Sequence, residues 1–257
     1  MNGNGNDFLM VLGSDYPGAP WEMIARRFCH RKKGVGADGL ILLTSCEGAC
    51  FFMQLYNADG SKGEMCGNGA RCAARFAYEQ GLAPRKMTFE TPAGLIGAEV
   101  EGEQVTLQMS PLLWHQDWED RPLRLGGEVW RSAWLDSGVP HLVLLCDSLP
   151  DEETCRTVGK EGRELDLFPQ GTNVTFAAPC GRGELQAVTY ERGVEDLTES
   201  CGTGCVAAAA VAQRVLGMGD VIEVHNPGGT NRVFLREEAP LLMGTTKVVA
   251  KGELLEV

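Results

Sequence analysis

Apolar positions recur along the chain with two periods. In QVTLQM, Val105, Leu107 and Met109 alternate with Thr106 and Gln108, the mark of a half-buried antiparallel strand. The same reasoning predicts strands in the first half at FLMVLG, GLILLTSC, FFMQLYN, KMTFETPAG, LIGAEVEG and QVTLQMS. Helical spacing predicts a helix over PWEMIARRFCHR, which starts at a proline, and another behind Cys66. The second half predicts strands at EVWRSAWLDSG, HLVLLC, TNVTFAA, ELQAVTYERGV, VIEVHN, NRVFLR and KVVAKGELLEV. Its helices fall over DEETCRTVGKEG and behind Cys201.

One element occurs twice. MCGNGARCAARFA (65–77) and SCGTGCVAAAAVA (200–212) both run Cys-Gly-x-Gly into an alanine-rich helix, with strands on both sides of it in sequence. A helix of small residues can be approached closely from all around, which suits the centre of a curled sheet. The recurrence favours two domains, and the turn-rich SPLLWHQDWEDRP (110–122) is the linker candidate, with the boundary near residue 113.

Composition narrows the partners. With 257 residues and 44% hydrophobic content the chain can bury a substantial core, and a net charge of −12 without any basic stripe excludes nucleic acid and anionic membrane surfaces. MNGNGNDFLMVLG has no charged leader, and no apolar run approaches the ~18–20 residues of a membrane span, so a soluble, cytoplasmic protein is expected. In that setting the ten cysteines read as thiols rather than a disulfide framework, most of them buried and inert. His30 and His225 read as surface residues.

Cys66 and Cys201 stand apart because each leads directly into a Gly-x-Gly turn. Glycines in a first helical turn let a ligand approach the backbone, and the N–H groups of a helix start attract an anion. The same field lowers the pKa of a thiol placed there. A carboxylate held by Gly67 and Asn68 on one side and by Gly202 and Thr203 on the other would put its α-carbon between two sulfurs. That arrangement describes a two-base racemase: one thiolate removes the α-proton and the other cysteine, as thiol, returns a proton to the opposite face. The helix starts would stabilise charge growing on the carboxylate, and no cofactor is required.

At these residues the sequence resembles the diaminopimelate epimerase family over nearly its whole length. The motifs run in order: GNGNDF, GVGADGL, YNADGSKGEMCGNGARC, ETPAG, GVPH, FPQGTNVTF and YERGVEDLTESCGTG. The resemblance implies an α/β (α+β) fold of two pseudo-symmetric halves, each a curved, mostly antiparallel sheet around a central helix, with the active site in the cleft between them. It puts residues 1–113 and a returning last strand, 247–257, in the first half and 114–246 in the second. The implied activity interconverts LL- and meso-diaminopimelate on the route to lysine and cell-wall precursors, with no cofactor and no metal, on a small amino-acid substrate. Relatives are often homodimers.

Carried over residue by residue, Cys66 and Cys201 match the acid and base cysteines, and His141 and Glu191 match residues that orient or polarise them. Asn6, Asn57, Asn173, Glu191 and Arg192 match substrate contacts, and Gly67, Asn68, Gly202 and Thr203 match the carboxylate cradle. A guanidinium at Arg192 suits a distal carboxylate. The chain departs from the family at Val139, where GVPH replaces the commoner G-N-P-H, at Asn4, and in EDLTES. Val139 keeps a histidine racemase open as an alternative. Outside the enzymes, the alternatives are a thiol-rich metal-binding protein, against which the Cys66–Cys72 and Cys201–Cys205 spacings argue, and a redox protein.

Overall fold

The computed structural model describes residues 1–255 apart from Glu64, Gln116, Asp117 and Glu237. Two compact units divide the chain, one of Met1–Gln108 with Met243–Val257, the other of Met109–Leu242.

The first unit contains β1 (Asn2–Gly3), β2 (Asn6–Leu12), α1 (Trp21–Phe28), β3 (Gly39–Thr44), β4 (Phe52–Asn57), β5 (Lys62–Gly63), α2 (Gly67–Glu79), β6 (Lys86–Thr91), β7 (Gly94–Glu101) and β8 (Gln104–Gln108). β2 and β3 are parallel, β3 and β4 antiparallel, β4 and β6 parallel, and β6, β7 and β8 antiparallel in turn. The second unit contains β9 (Leu113–Trp114), β10 (Arg121–Leu125), β11 (Glu128–Asp136), β12 (Pro140–Leu145), α3 (Glu152–Arg163), β13 (Asn173–Gly181), β14 (Glu184–Glu191), β15 (Asp196–Thr198), α4 (Gly202–Leu216), β16 (Val221–Asn226) and β17 (Gly229–Phe234); β18 (Leu241–Thr245) follows and pairs with β8. The pairing rule repeats: β12 and β13 parallel, β13 and β14 antiparallel, β14 and β16 parallel, β16 and β17 antiparallel. In both units the cysteine helix sits in the same connection, after a short strand paired to its predecessor and before a parallel strand.

Within each unit one helix touches most of the sheet: α2 packs on β1, β2, β3, β4, β7 and β8, and α4 on β11, β12, β13, β14, β16 and β17. A sheet can meet a single helix along so many strands only by curling around it, and small side chains let the strands come close. Accordingly Ala70, Ala73, Ala74 and Ala77 of α2 and every residue from Val206 to Ala212 of α4 are buried. Gly217, with φ of +69°, ends α4 in the left-handed conformation. α3 covers another part of its unit's sheet, on β13, β14 and β15, and is capped by Asp151, whose carboxylate accepts from the Thr154 amide at 2.9 Å.

Three expectations are corrected. The first helix ends at Phe28, not Arg31, because Arg31 turns away to grip Asp7 (2.8 and 2.9 Å) and Asp38 (2.7 Å), and a His30–Gly34 turn follows. The stretch expected as a linker belongs to the second unit: Trp114 lies on β9, paired to β11, and Trp118 donates its indole N–H to Ser132. The last strand is LLMGT rather than KVVAKGELLEV, from which, among the described residues, only Lys247 forms a bridge, to Asn2. Of these segments, Gln116, Asp117, Glu256 and Val257 lie outside the described residues.

Candidate active site

Cys66 is the N-cap of α2 and Cys201 the N-cap of α4, each in extended backbone, and each accepts the first helical hydrogen bond on its carbonyl, from Ala70 (2.7 Å) and Cys205 (2.9 Å). Neither helix start is closed by a side-chain cap, so each presents its opening turn of N–H groups, Gly67–Asn68 or Gly202–Thr203, beside a thiol. Chemically, a helix start of this kind can hold an anion, and a thiol beside it can carry a proton.

In the first unit a directed chain of donors supports the helix start. The buried Arg71 guanidinium donates to Asn68 Oδ1 (2.5 Å), which leaves the Asn68 amide nitrogen to donate to Asn6 Oδ1 (2.7 Å). Asn6 in turn donates to Asp38 Oδ2 (3.1 Å), and Asp38 is held by Arg31. Asn6 and Asn68 are thus brought together. Asn57 stands apart in the NADGS turn, its amide donating to Ser61 Oγ at 2.9 Å. Farther along the helix, burial pushes the Cys72 thiol up to about 12, so it stays protonated and inert.

The second unit surrounds Cys201 with polar side chains. The fully buried His141 has Nδ1 at 3.0 Å from Thr175 Oγ1 and Nε2 at 3.0 Å from Thr203 Oγ1, and Thr203 Oγ1 lies 3.4 Å from Cys201 Sγ. Asn173 settles the proton positions. Its Oδ1 accepts from the Arg192 amide (2.8 Å), so its nitrogen must face His141 Nε2 (3.3 Å), which is therefore an acceptor. His141 then donates from Nδ1 to Thr175, whose hydroxyl meets Thr189 at 3.0 Å, and Thr203 donates to Nε2, leaving its oxygen to accept from the Cys201 thiol. Burial, with Arg192 adding to it, holds His141 down to about 3, so the ring is neutral and orients its neighbours rather than carrying a proton.

Burial also pushes the Cys201 thiol far up, and the adjacent Glu191 carboxylate adds to this against the pull of the Thr203 hydroxyl and Gly204 amide. Glu191 is itself raised by burial, eased by the Thr198 and Cys201 side chains. A Cβ at Gly204 would lie 2.5 Å from Thr189 Oγ1 and 3.1 Å from Thr175 Oγ1, so only glycine lets α4 sit against the threonine chain. Below the helix start, Asn226 Oδ1 accepts from the Cys205 thiol (2.8 Å) and from Ser200 (3.3 Å).

Arg192 donates to the Gln170 carbonyl at 2.9 Å and has no carboxylate partner among the described residues. The expectation that His141 acts on the cysteine is refined, since it reaches Cys201 through Thr203. Sequence reasoning missed Thr175 and Thr189; the signal that could have found them was a threonine inside the fully buried run NVTFAA. It also took Cys180 as buried, whereas Cys180 is exposed, while Cys46, Cys50 and Cys146 are half-buried. All ten cysteines stand as thiols. No helix among the described residues is long and apolar enough to cross a membrane.

A family model described as diaminopimelate epimerase matches residues 1–114 and 133–250. A diaminopimelate epimerase of Methanothrix thermoacetophila is 35% identical over 266 residues, covering 98% of this chain and 93% of the relative. One of Aquifex aeolicus is 39% identical over 228 residues, covering 82% and 79%. Among solved structures, a Bacillus anthracis phenazine biosynthesis protein of the PhzF family superposes with a TM-score of 0.71 at 16% identity over 95% of this chain and 92% of that one. A hydroxyproline epimerase from Agrobacterium vitis does so with 0.63 at 18% over 95% and 87%. At those identities the structures speak for the fold alone. The sequence relationship goes further, spanning both units and both cysteine helices, and it makes the chain a member of the diaminopimelate epimerase family.

Proposed function

We propose that this chain is an isomerase that epimerises LL-diaminopimelate to meso-diaminopimelate, the substrate named by its relatives, using Cys66 and Cys201 as the two bases. The observation that carries the mechanism is the duplicated site: each unit supplies one cysteine at the start of a buried small-residue helix with an uncapped opening turn. Epimerisation requires one group for each face of a single α-carbon, and two cysteines in equivalent settings are a chemically sufficient pair for it.

In the direction that uses Cys66 as base, its thiolate takes the α-proton. The C–H bond breaks, an S–H bond forms, and the electron pair moves from the α-carbon into the carboxylate. The N–H groups of Gly67 and Asn68 and of Gly202 and Thr203 stabilise the charge that accumulates there. Cys201 then gives its proton to the opposite face, its S–H bond breaking as the new C–H bond forms. Its surroundings suit the resting acid, because burial and Glu191 keep the thiol protonated until a carbanion develops. The Thr203–His141–Thr175 chain fixes the rotamer of the sulfur, and once Cys201 has given up its proton the Thr203 hydroxyl turns from His141 Nε2, which keeps the Asn173 amide, to donate to the thiolate left behind. The reverse reaction exchanges the roles.

Arg192, with no carboxylate partner among the described residues, is available for the distal carboxylate of the substrate. Asn173 has both ends of its amide engaged and positions His141 and Arg192. Asn6 holds Asn68, while Asn57 and Glu191 offer oxygens to the ammonium groups. A cytoplasmic location and a dimeric assembly go with this reading. The test is α-proton exchange in deuterated water across LL-diaminopimelate, histidine, proline, glutamate and lysine with Cys66→Ala and Cys201→Ala. Exchange of diaminopimelate by the wild type and loss of epimerisation in both variants is expected. Exchange of histidine alone would overturn the substrate, and turnover in either variant the mechanism.

A further inference from the structure

Away from the cysteine helices, the second unit gathers three side chains of a different kind. Cys180 Sγ, one carboxylate oxygen of Glu184 and one ring nitrogen of His225 all lie within 4.8 Å of one another. They come from three adjacent strands. Along β14, Leu185 and Ala187 point into the core and Glu184 and Gln186 outward; along β16, Ile222 and Val224 point inward and Glu223 and His225 outward. Gln186 stands opposite His225 in the parallel pairing, which makes Glu184 and His225 diagonal neighbours on the outer face. Cys180 is the extra residue of a bulge, where the β13–β14 register shifts between Pro179 and Gly181, and bulges re-aim a side chain in this way.

We propose that Cys180, Glu184 and His225 form a binding site for a thiophilic divalent cation of the zinc class. The donor set selects the ion: a thiolate, an imidazole and one carboxylate suit zinc, whereas magnesium and calcium take oxygen ligands. The geometry agrees. Bonds of ~2.0–2.3 Å in a tetrahedron place ligand atoms roughly 3.3–3.8 Å apart, and His225 Nε2 already stands 3.4 Å from Glu184 Oε2. The imidazole is also held for ligation. Thr230 Oγ1 lies 2.8 Å from Nδ1, so with the ion on Nε2 in place of the proton shared with Glu184, the Nδ1 proton has an acceptor in Thr230, the outer-shell arrangement typical of metal-bound histidine. Three protein ligands leave a fourth position for water. Binding releases the Cys180 thiol proton to solvent as the sulfur–metal bond forms, and the ion ties β13, β14 and β16 together one residue before Asn226, which holds the Cys201 helix start.

The experiment titrates the full-length chain with Co²⁺, follows the thiolate-to-cobalt charge-transfer band, and displaces the ion with Zn²⁺. One equivalent of band that Zn²⁺ removes and Mg²⁺ does not is expected. Cys180→Ser should lose that equivalent, His225→Gln and Glu184→Gln should weaken binding at least about tenfold, and Thr230→Val about 10–100-fold. Diaminopimelate turnover measured on the same samples should stay at the wild-type level, which separates loss of the metal from loss of the fold. A wild-type chain that shows no band, or a Cys180→Ser variant that keeps all of it, overturns the site. Failure of turnover in the wild type would bear on the epimerase reading and leave the metal titration standing.

Discussion

Replacing Thr203 by valine removes one hydroxyl and almost no volume, and so isolates the link between His141 and Cys201. Two contacts go: the one to His141 Nε2 at 3.0 Å and the one to Cys201 Sγ at 3.4 Å. A buried acceptor left without its partner costs about 1–3 kcal/mol, but Asn173 still donates to Nε2 at 3.3 Å, which places the cost near the lower end, about 1 kcal/mol. For a chain of this size that is a fall in Tm of about 2–4 °C. The catalytic effect is separate. Without the hydroxyl, the Cys201 thiolate loses one of the two groups that pull its pKa down. A hydrogen bond of about 1–1.5 kcal/mol acting on that thiolate corresponds to a roughly tenfold fall in kcat/KM. Because one transition state serves both directions, the fall must be equal from the LL and meso substrates, and initial rates of each conversion followed by chiral chromatography measure it. Thr203→Ser should recover most of the loss. A valine variant with wild-type kcat/KM, or a serine variant as impaired as valine, would refute the role of the hydroxyl.

The same neighbourhood yields two other expected outcomes. Gly204→Ala drives a methyl into Thr189 and Thr175, so it should cost about 1–3 kcal/mol of stability and depress turnover with Cys201 itself unchanged, read by thermal unfolding beside the kinetic assay. His141, about 3 in the folded protein against 6.5 in the unfolded chain, binds fewer protons when folded throughout that window. Its contribution is therefore complete above about 6.5 and is lost as pH falls toward 3, at up to about 1.4 kcal/mol per pH unit; in urea melts at several pH values, His141→Gln should start less stable near neutrality and show a shallower acid slope.

The two cysteine helices were legible in the sequence because their cause is local: glycines open the first turn and alanines thin the rest, in both halves. The alternating strand QVTLQM and the continuous apolar run HLVLLC were legible for a similar reason. What the sequence concealed depends on distant partners. RPLRL carries a proline and two arginines, and becomes β10 only because β11 supplies the ladder. KVVAKGELLEV alternates better than LLMGT, yet it is LLMGT that lies beside β8. At the site, motif position identified His141 and Thr203 but not the order in which they meet Cys201. The chain through Thr175, His141 and Thr203 draws on β13, β12 and the start of α4, and no spacing along the chain encodes it.

The return of β18 to β8 has a bearing on biosynthesis. The second unit is one uninterrupted run, Met109–Leu242, so all of its strands are available as soon as that run has left the ribosome. The first unit begins earlier but finishes later: its sheet lacks the strand beside β8, and Asn2 lacks its bridge to Lys247, until the final segment emerges. The older half of the nascent chain is thus the last to mature. A polypeptide released just after Leu242 would carry an intact Cys201 unit and a Cys66 unit with an open edge, a ready target for chaperones and proteases.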